Sequence, residues 1–366
     1  MDNDVVLWIV VATALAFDFT NGFHDTANAV ATSISTRAMA PRVAVTLAAV
    51  LNFVGAFLSL EVAATIANGI VEAELVTPAI VFAGLIGAIS WNLLTWYVGL
   101  PSSSSHALIG GVVGAAFAAE GADAVLGDGI VEKVAIPALM APVLAFVVAG
   151  LGILLIYRII GRLRPSTVSR SFRLGQIVTG SLFSLSHGTN DAQKTMGIMF
   201  LALVANGNLS SGDDIPVWVV VSAATAIALG TYVGGWRIIK TMGSRIIKMD
   251  PAQGFAAQGA GAAVILSASH AGFPLSTTHV ISGAIMGAGA AKRVSAVRWG
   301  VAGNIVAAWV LTLPAAAAVG ALTFGVVHVF GDGATGPVVV SAALLLALGA
   351  AMARRVGSGQ TLTAEG

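Results

Sequence analysis

Long apolar segments, separated by short charged loops, make up most of this chain. Only 10% of the 366 residues are charged and 57% are hydrophobic, whereas soluble domains are about 25% charged. A helix of about 20 apolar residues crosses the hydrocarbon core of a bilayer. The sequence therefore predicts an all-α polytopic membrane protein. The segments near this length are 5–34, 43–60, 78–98, 101–119, 134–157, 174–205, 217–236, 252–270, 274–291, 299–327 and 337–353.

The charges between these segments alternate in sign along the chain. Basic clusters follow the first, fifth, seventh, ninth and eleventh segments, and acidic clusters follow the second, fourth, sixth and tenth. Lys and Arg favour the cytoplasmic side of a membrane. The pattern predicts eleven crossings of the plasma (inner) membrane, with the N-terminus outside and the C-terminus in the cytoplasm. Segments 101–119 and 274–291 could instead be re-entrant hairpins, so we expect ten to twelve helices.

The two halves of the chain contain matching motifs. Residues 21–28 read NGFHDTAN and residues 187–194 read HGTNDAQK, so a Gly lies three residues before an Asp in each. Further along, 101–106 read PSSSSH and 274–279 read PLSTTH, each followed by Gly-x-x-x-Gly. Because each half holds five crossings, an odd number, we expect the second copy to be inverted. Inverted repeats with broken helices are typical of secondary transporters.

This repeat divides the chain into four parts. Residues 1–157 form the first inverted repeat and 174–335 the second. Between them, 158–173 contain five Arg and no acidic residue, which predicts a basic cytoplasmic linker. Residues 336–366 are expected to form a final transmembrane helix and a C-terminal tail.

Two aspartates lie inside otherwise apolar segments, Asp25 and Asp191. A charge at the membrane centre costs at least about 2.5–3.5 kcal/mol on insertion scales, so such residues pair, bind ions or relay protons. The adjacent Gly22 and Gly188 predict a helix break in segments 5–34 and 174–205. The pattern indicates one ion or anion site built from both motifs, with a structural polar clamp as the alternative. Asp18 stays open between a structural role and a place on the ion path.

Two hydroxyl-rich segments each follow a proline and precede an apolar helix. Helix N-termini present unpaired N–H groups and a positive dipole end, and hydroxyls add further donors. Facing each other, two such N-termini would make a cradle for an oxyanion, whereas N-capping alone would explain one copy. Lys194 either neutralises Asp191 or contacts the anion. The candidate phosphate-binding residues are Asp25, Ser103, Ser104, Ser105, Asp191, Lys194, Ser276, Thr277 and Thr278.

Other functions fit these residues less well. His24, Asp25, His187 and Asp191 could ligate a divalent metal, but the hydroxyl-rich segments would then go unused. Ser105 and His106 are adjacent in the sequence and do not form the nucleophile, base and orienting group of a catalytic triad. There is also no H-E-x-x-H motif. We therefore expect that the protein is not an enzyme and has no catalytic residue and no cofactor. The 18 basic and 17 acidic residues nearly cancel, which argues against nucleic acid as a partner.

Four stretches resemble the inorganic phosphate transporter (PiT) family, in particular its bacterial low-affinity branch. They are NGFHDTANAVAT at 21–32, WNLLTWYVGLPSSSSHALIG at 91–110, SHGTNDAQKTMG at 186–197 and PLSTTHVISGAIMG at 274–287. The resemblance implies a homodimeric secondary symporter in the lipid bilayer. Such a protein would import inorganic phosphate by alternating access around a site at the membrane midplane.

The resemblance also implies which residues serve the coupling cation. These would be Asn21, His24, Asp25, Asn28, Asn190 and Asp191. Sodium-coupled members tend to have Asn before the first motif Asp, whereas this chain has His24, like the proton-coupled bacterial branch. We therefore expect coupling to protons, with phosphate carried alone or as a neutral metal–phosphate complex. Coupling to sodium, transport of sulfate and transport of a divalent metal are the alternatives.

Overall fold

The computed structural model describes residues 2–160, 164–331 and 333–357. Within these ranges the secondary structure is helical apart from an isolated bridge between Val71 and Val125, so the all-α prediction is confirmed. The α-helices are α1 Asp2–Ser35, α2 Pro41–Gly55, α3 Glu61–Asn68, α4 Pro78–Val98, α5 Ser104–Glu120, α6 Gly127–Ile130, α7 Ile136–Ile160, α8 Pro165–Ala205, α9 Val217–Val233, α10 Trp236–Lys240, α11 Pro251–His270, α12 Thr277–Lys292, α13 Trp299–Val329 and α14 Thr335–Gly357.

Helices α1 and α8, which carry the two aspartate motifs, pack against each other and run antiparallel. Near one end the Thr36 hydroxyl donates to Gln176 Oε1. Halfway along, His187 Nε2 lies 4.0 Å from Asp25 Oδ2. Near the other end, Leu7 and Leu203 line the same cavity. The two motifs therefore lie at the same level in the centre of the molecule.

The helix breaks are not where the sequence analysis placed them. Both α1 and α8 continue without interruption through Gly22 and Gly188, so the breaks predicted in 5–34 and 174–205 are wrong. In each half the break lies in the next apolar segment along the chain, 43–60 or 217–236. Helix α2 ends at Gly55, before the short α3, and α9 is bent by 62° against the residues of α10.

The motif glycines serve close helix packing instead of chain breaks. A Cβ on Gly22 would lie 2.4 Å from the Ile227 carbonyl oxygen of α9. A Cβ on Gly188 would lie 2.1 Å from the Asn52 carbonyl oxygen of α2. No side chain fits at such distances, so glycine lets each neighbouring backbone touch the helix one turn from its aspartate.

Helices α4–α5 and α11–α12 form two hairpins that enter the molecule from opposite ends. Pro78 and Glu120, at the outer ends of the first hairpin, line one cavity together with Val6 near the start of α1. At the opposite end, Lys292 forms an ion pair with Asp250 (3.2 Å), which closes the base of the second hairpin.

The tips of the two hairpins meet in the interior. The Ser105 hydroxyl donates to the Leu275 carbonyl (3.2 Å), and the rings of His106 and His279 lie 4.7 Å apart. This arrangement favours the re-entrant alternative for segments 101–119 and 274–291.

Each hairpin packs on the last long helix of the other half. A Cβ on Gly110 would lie 2.5 Å from the Leu313 carbonyl oxygen of α13, and one on Gly283 would lie 2.3 Å from the Pro142 carbonyl oxygen of α7. Gly114 and Gly287, one turn later, repeat these contacts on α13 and α7. Such reciprocal contacts support the inverted repeat, which stays a prediction.

Length and hydropathy alone identify fewer spans than the charge pattern predicted. Five of the described helices are long and apolar enough to cross a membrane, or six if the bent pair of α9 and α10 is one span. The 16-residue α12 is too short, and α8 carries a polar motif. The count of ten to twelve stays a prediction.

The predicted linker 158–173 is largely helical in the structure. Residues 165–173 form the first turns of α8, so this helix is 41 residues long. At about 1.5 Å per residue it is about twice as long as the hydrocarbon core is thick. Residues 161–163 of the linker, Asp332 and the tail residues 358–366 lie outside the described residues.

Candidate functional site at the centre of the helix bundle

The predicted site residues come together where α1, α8 and the two hairpin tips meet. The Thr277 hydroxyl, in the first turn of α12, lies 3.3 Å from Asp25 Oδ2 and 3.1 Å from Asp191 Oδ2. One hydroxyl thus joins carboxylates that are 166 positions apart in the chain. Asp25 is 2% exposed and Asp191 0%. Both aspartate motifs therefore contribute to one buried polar centre.

His24 connects Asp25 to helix α4. Its Nδ1 lies 2.5 Å from Asp25 Oδ1, and its Nε2 lies 3.1 Å from Thr95 Oγ1. The Thr95 hydroxyl donates to the Trp91 carbonyl (2.8 Å), so its oxygen is an acceptor towards Nε2. The carboxylate offers only acceptors to Nδ1, so the His24–Asp25 pair is placed to hold a proton between Nδ1 and Oδ1.

His187 makes the equivalent pair with Asp191. Its Nε2 lies 2.9 Å from Asp191 Oδ2, and its Nδ1 lies 3.2 Å from Asn52 Oδ1. Asn52 is oriented by donating its amide N–H to Thr231 Oγ1 (2.8 Å), so its oxygen faces the ring and Nδ1 carries a proton. Nε2 lies beside the carboxylate without the geometry of a hydrogen bond. An imidazole nitrogen therefore lies within 3 Å of each central aspartate.

Lys194 adds an ammonium group to this centre. Its ammonium donates to Asp191 Oδ1, to Ser105 Oγ (2.5 Å) and to the Leu275 carbonyl (2.7 Å). All three donors are used, as burial at 1% exposure requires. Lys194 thus neutralises Asp191 and also contacts a hydroxyl of the predicted cradle, so the two alternatives for it are compatible.

The hydroxyls at the hairpin tips divide into two groups. Ser104 donates to Asp25 Oδ1 (3.3 Å), and Thr278 accepts from Asn28 Nδ2 (2.9 Å). Ser104 and Thr277 contact the aspartates, whereas Ser105 and Thr278 contact Lys194 and Asn28 beside them. All four hydroxyls lie at the N-termini of α5 and α12. Such N-termini favour negative charge. The centre thus combines anion-attracting helix ends with carboxylates that are already paired.

The other two hydroxyls cap helices. Ser103 accepts from the backbone N–H of His106 (3.1 Å), and Ser276 accepts from that of His279 (3.3 Å). The N-capping alternative therefore describes these two side chains. They position the hairpin tips while their neighbours reach the aspartates.

The other two motif asparagines lie at different places. Asn190 donates to Asp191 Oδ1 (3.0 Å) and to the Leu275 carbonyl (2.7 Å), so it belongs to the centre. Asn21 lies one helical turn from Asp25, beside Asp18. Among the described residues, its Oδ1 has no hydrogen-bond partner.

Some residues of the site were not in the predicted set. Thr95, Ser102 and Asn52 hold the two imidazoles, with Ser102 Oγ 3.3 Å from His24 Nε2. The sequence indicated His187 only as a possible ligand of a divalent metal. Asn52 could have been noticed, because it has the one amide side chain in the apolar segment 43–60. Nothing in the sequence indicated that it contacts α8.

Three groups of the centre could also hold a cation. Three ligand atoms lie within 4.8 Å of one another, one each from Asp25, His187 and Asp191. The same carboxylates face the hydroxyls and Lys194. The arrangement can therefore place a cation beside an anion, as the metal–phosphate alternative requires.

Known proteins share this sequence and fold. The sequence model of the phosphate transporter family matches residues 21–168 and 162–320. A protein of Mycobacterium tuberculosis is 57% identical, over 89% of this chain and 78% of its own. Proteins of Rhizobium meliloti and Bacillus subtilis are 52% and 47% identical, over 86% and 90% of this chain and 94% and 99% of their own. Each is named "probable low-affinity inorganic phosphate transporter".

A solved structure has the same fold. It is described as the sodium-dependent phosphate transporter, is 26% identical and superposes with a TM-score of 0.81. The match covers 88% of this chain and 99% of that one. The resemblance inferred from the four motif stretches is thereby confirmed. This chain belongs to the phosphate transporter family, as a multi-pass membrane protein.

Proposed function

We propose that this chain imports inorganic phosphate across the plasma membrane as a proton-coupled symporter. The observation that carries the proposal is the position of an imidazole beside each central aspartate, with His24 Nδ1 2.5 Å from Asp25 Oδ1 and His187 Nε2 2.9 Å from Asp191 Oδ2. The bacterial relatives named for inorganic phosphate support the substrate. A homodimer, implied by the family resemblance, belongs to the same proposal.

Protonation changes the charge that the centre presents to an anion. When His24 and His187 are both protonated, they and Lys194 place three positive charges beside the two aspartates, so the centre has a net charge of +1. With both imidazoles neutral, the same groups carry a net charge of −1. Phosphate therefore binds better when protons are bound. That coupling of two binding free energies is what symport requires.

The polar groups suit hydrogen phosphate. Ser104, Ser105, Thr277 and Thr278 can turn their hydroxyls to phosphate oxygens at the helix N-termini, and Lys194 adds a positive charge. Hydrogen phosphate has a P–OH donor that Asp25 or Asp191 can accept, whereas sulfate at neutral pH has none. We therefore propose selectivity for phosphate over sulfate through a carboxylate.

The burial of the centre favours alternating access. Asp25, Lys194 and Thr277 are each at most 2% exposed, so a rigid molecule would not exchange substrate with either side. The two hairpins enter from opposite ends and can open separately. The sequence contains no Walker motif, so the proposed energy source is an ion gradient.

Protons fit the first motif better than sodium. Asp25 Oδ1 contacts His24 and Ser104, and Oδ2 contacts Thr277, so its oxygens are engaged with donors. The sodium-dependent neighbour makes sodium the competing coupling ion. The ligand atoms of Asp25, His187 and Asp191 favour a metal–phosphate complex as a second form of the substrate.

Labelled phosphate uptake into proteoliposomes tests the coupling ion. Proton and sodium gradients are imposed separately, with sulfate as competitor and with and without added Mg²⁺. We expect uptake driven by the proton gradient and resistant to sulfate. His24→Asn, which places at this position the residue typical of sodium-coupled members, is expected to lose proton-driven uptake by about tenfold or more.

His270→Asn is the matched control, because His270 lies at the exposed end of α11. It should transport like the unmodified protein. Uptake driven only by sodium would overturn the proton assignment. Faster uptake of sulfate than of phosphate would overturn the substrate assignment.

A further inference from the structure

Asp18 is a buried carboxylate that the central site does not use. It lies on α1 two helical turns before Asp25, towards the end predicted to face outside. Its side chain is 0% exposed, and among the described residues neither of its oxygens has a hydrogen-bond partner. Thr195 of α8 and Asn21 lie close enough to interact with it without forming a hydrogen bond of normal geometry.

Oxygen atoms beside Asp18 are also unpartnered. Asn21 Oδ1 and Thr195 Oγ1 are buried and without a hydrogen-bond partner in the described part of the chain. An ionised Asp18 adds only acceptors to this group, whose donors are the Thr195 hydroxyl and the Asn21 amide. A proton on Asp18 would let its O–H donate to Asn21 or Thr195. Thr195 could then donate to the other carboxyl oxygen.

The charged groups around Asp18 all belong to the central site. Asp191, His187 and Lys194 of α8 interact with it electrostatically, and Asp25 lies further along α1. Helices α4 and α9, which also pack on α1, contain no Asp, Glu, His, Lys or Arg. An ionised Asp18 would therefore be stabilised only by cations that already serve Asp25 and Asp191.

The second half of the chain has no equivalent of this acid. Asp25 and Asp191 are 166 positions apart, and the position 166 after Asp18 is Ser184. The Ser184 hydroxyl donates to the Gly180 carbonyl of its own helix (2.8 Å). The extra acid thus lies on one side of a site that is otherwise matched between the halves.

We propose that Asp18, with Asn21 and Thr195, forms a separate proton-binding site that loads the central site from the outer end. This inference rests on the proposed proton-coupled transport. A proton from outside water forms the O–H bond of Asp18. That bond breaks when the proton passes to a basic nitrogen of the central site, where an N–H bond forms. Asp18 is then a carboxylate and can accept the next proton.

Asp18→Asn tests this site, because the amide has the size of the acid and holds no exchangeable charge. We expect counterflow of labelled phosphate, which needs no net proton movement, to stay close to that of the unmodified protein. Accumulation driven by a proton gradient should fall by about tenfold or more. An internal pH dye should record fewer protons moved per phosphate. Asp18→Glu, which keeps the acid, should restore accumulation at least in part.

Asp213→Asn, in an exposed loop, is the matched control and should leave both assays unchanged. Normal proton-driven accumulation by Asp18→Asn would overturn the proton site. Loss of counterflow together with accumulation, in protein with normal thermal unfolding, would also overturn it and place Asp18 in the substrate site. If the unmodified protein responded only to sodium, the proposed function would fail first. Loss of that sodium-driven uptake in Asp18→Asn would then identify a metal-cation site.

Discussion

At the scale of single residues, Lys194 connects the second aspartate motif to both hairpin tips. It donates to Asp191, to the Ser105 hydroxyl and to the Leu275 carbonyl. Lys194→Gln removes the positive charge and leaves the buried carboxylate of Asp191 with less compensation. We expect phosphate binding to weaken by about 30-fold or more, since breaking a buried charge pair costs about 2–5 kcal/mol. Equilibrium binding of labelled phosphate in detergent measures the effect.

The double variant Asp191→Asn/Lys194→Gln separates stability from binding. It removes both charges, so it should unfold at a higher temperature than Lys194→Gln alone while still binding phosphate poorly. Lys248→Gln, on the exposed surface, is the control and should bind phosphate normally. Normal binding by Lys194→Gln would show that the charge does not attract the substrate.

At the scale of helices, the close contact of α2 with α8 depends on Gly188. A Cβ there would lie 2.1 Å from the Asn52 carbonyl oxygen, so Gly188→Ala must push the helices apart. Asn52 also orients His187, so the displacement reaches the central site. We expect a loss of about 1–3 kcal/mol of stability and slower phosphate uptake. Thermal unfolding in detergent and uptake into proteoliposomes measure the two effects.

Gly303→Ala is the matched control in α13, where an added Cβ meets nothing within 4 Å. It should stabilise the protein by up to about 1 kcal/mol, because alanine favours a helix over glycine. Equal unfolding temperatures for the two variants would contradict the packing role of Gly188.

At the scale of the whole molecule, the predicted orientation can be tested with single cysteines, because the natural sequence contains none. Ser210 lies in the exposed loop after α8, which is predicted to be outside. Ser295 lies in the exposed loop after α12, which is predicted to be in the cytoplasm with Lys292 and Arg293. A membrane-impermeant maleimide should label Ser210→Cys in intact cells and Ser295→Cys only after permeabilisation.

The cysteine-free parent gives the background signal of this labelling. Labelling of both positions from the same side would contradict the predicted topology of the second half. Labelling with the two sides exchanged would keep the repeat and reverse the orientation.

The amino-acid sequence by itself determined the class of the protein and the positions of its long helices. Apolar length and charge distribution are local properties of the chain, so each of the eleven predicted segments contains one long helix of the structure. The paired motifs around Asp25 and Asp191 also identified the family. Their residue types limit the chemistry to ions and oxyanions before any contact is known.

Only the tertiary structure decided which motif residues meet. Asn28 donates to Thr278, 250 positions away, and Asn52 holds His187 across 135 positions. Such contacts depend on how helices pack. Gly22 and Gly188 illustrate the limit, because glycine permits either a chain break or a close approach, and the neighbouring helix selects between them. For the same reason, the sequence alone did not distinguish the role of Asp18 from that of Asp25. The surroundings of the two aspartates differ because different side chains of the neighbouring helices lie beside each of them.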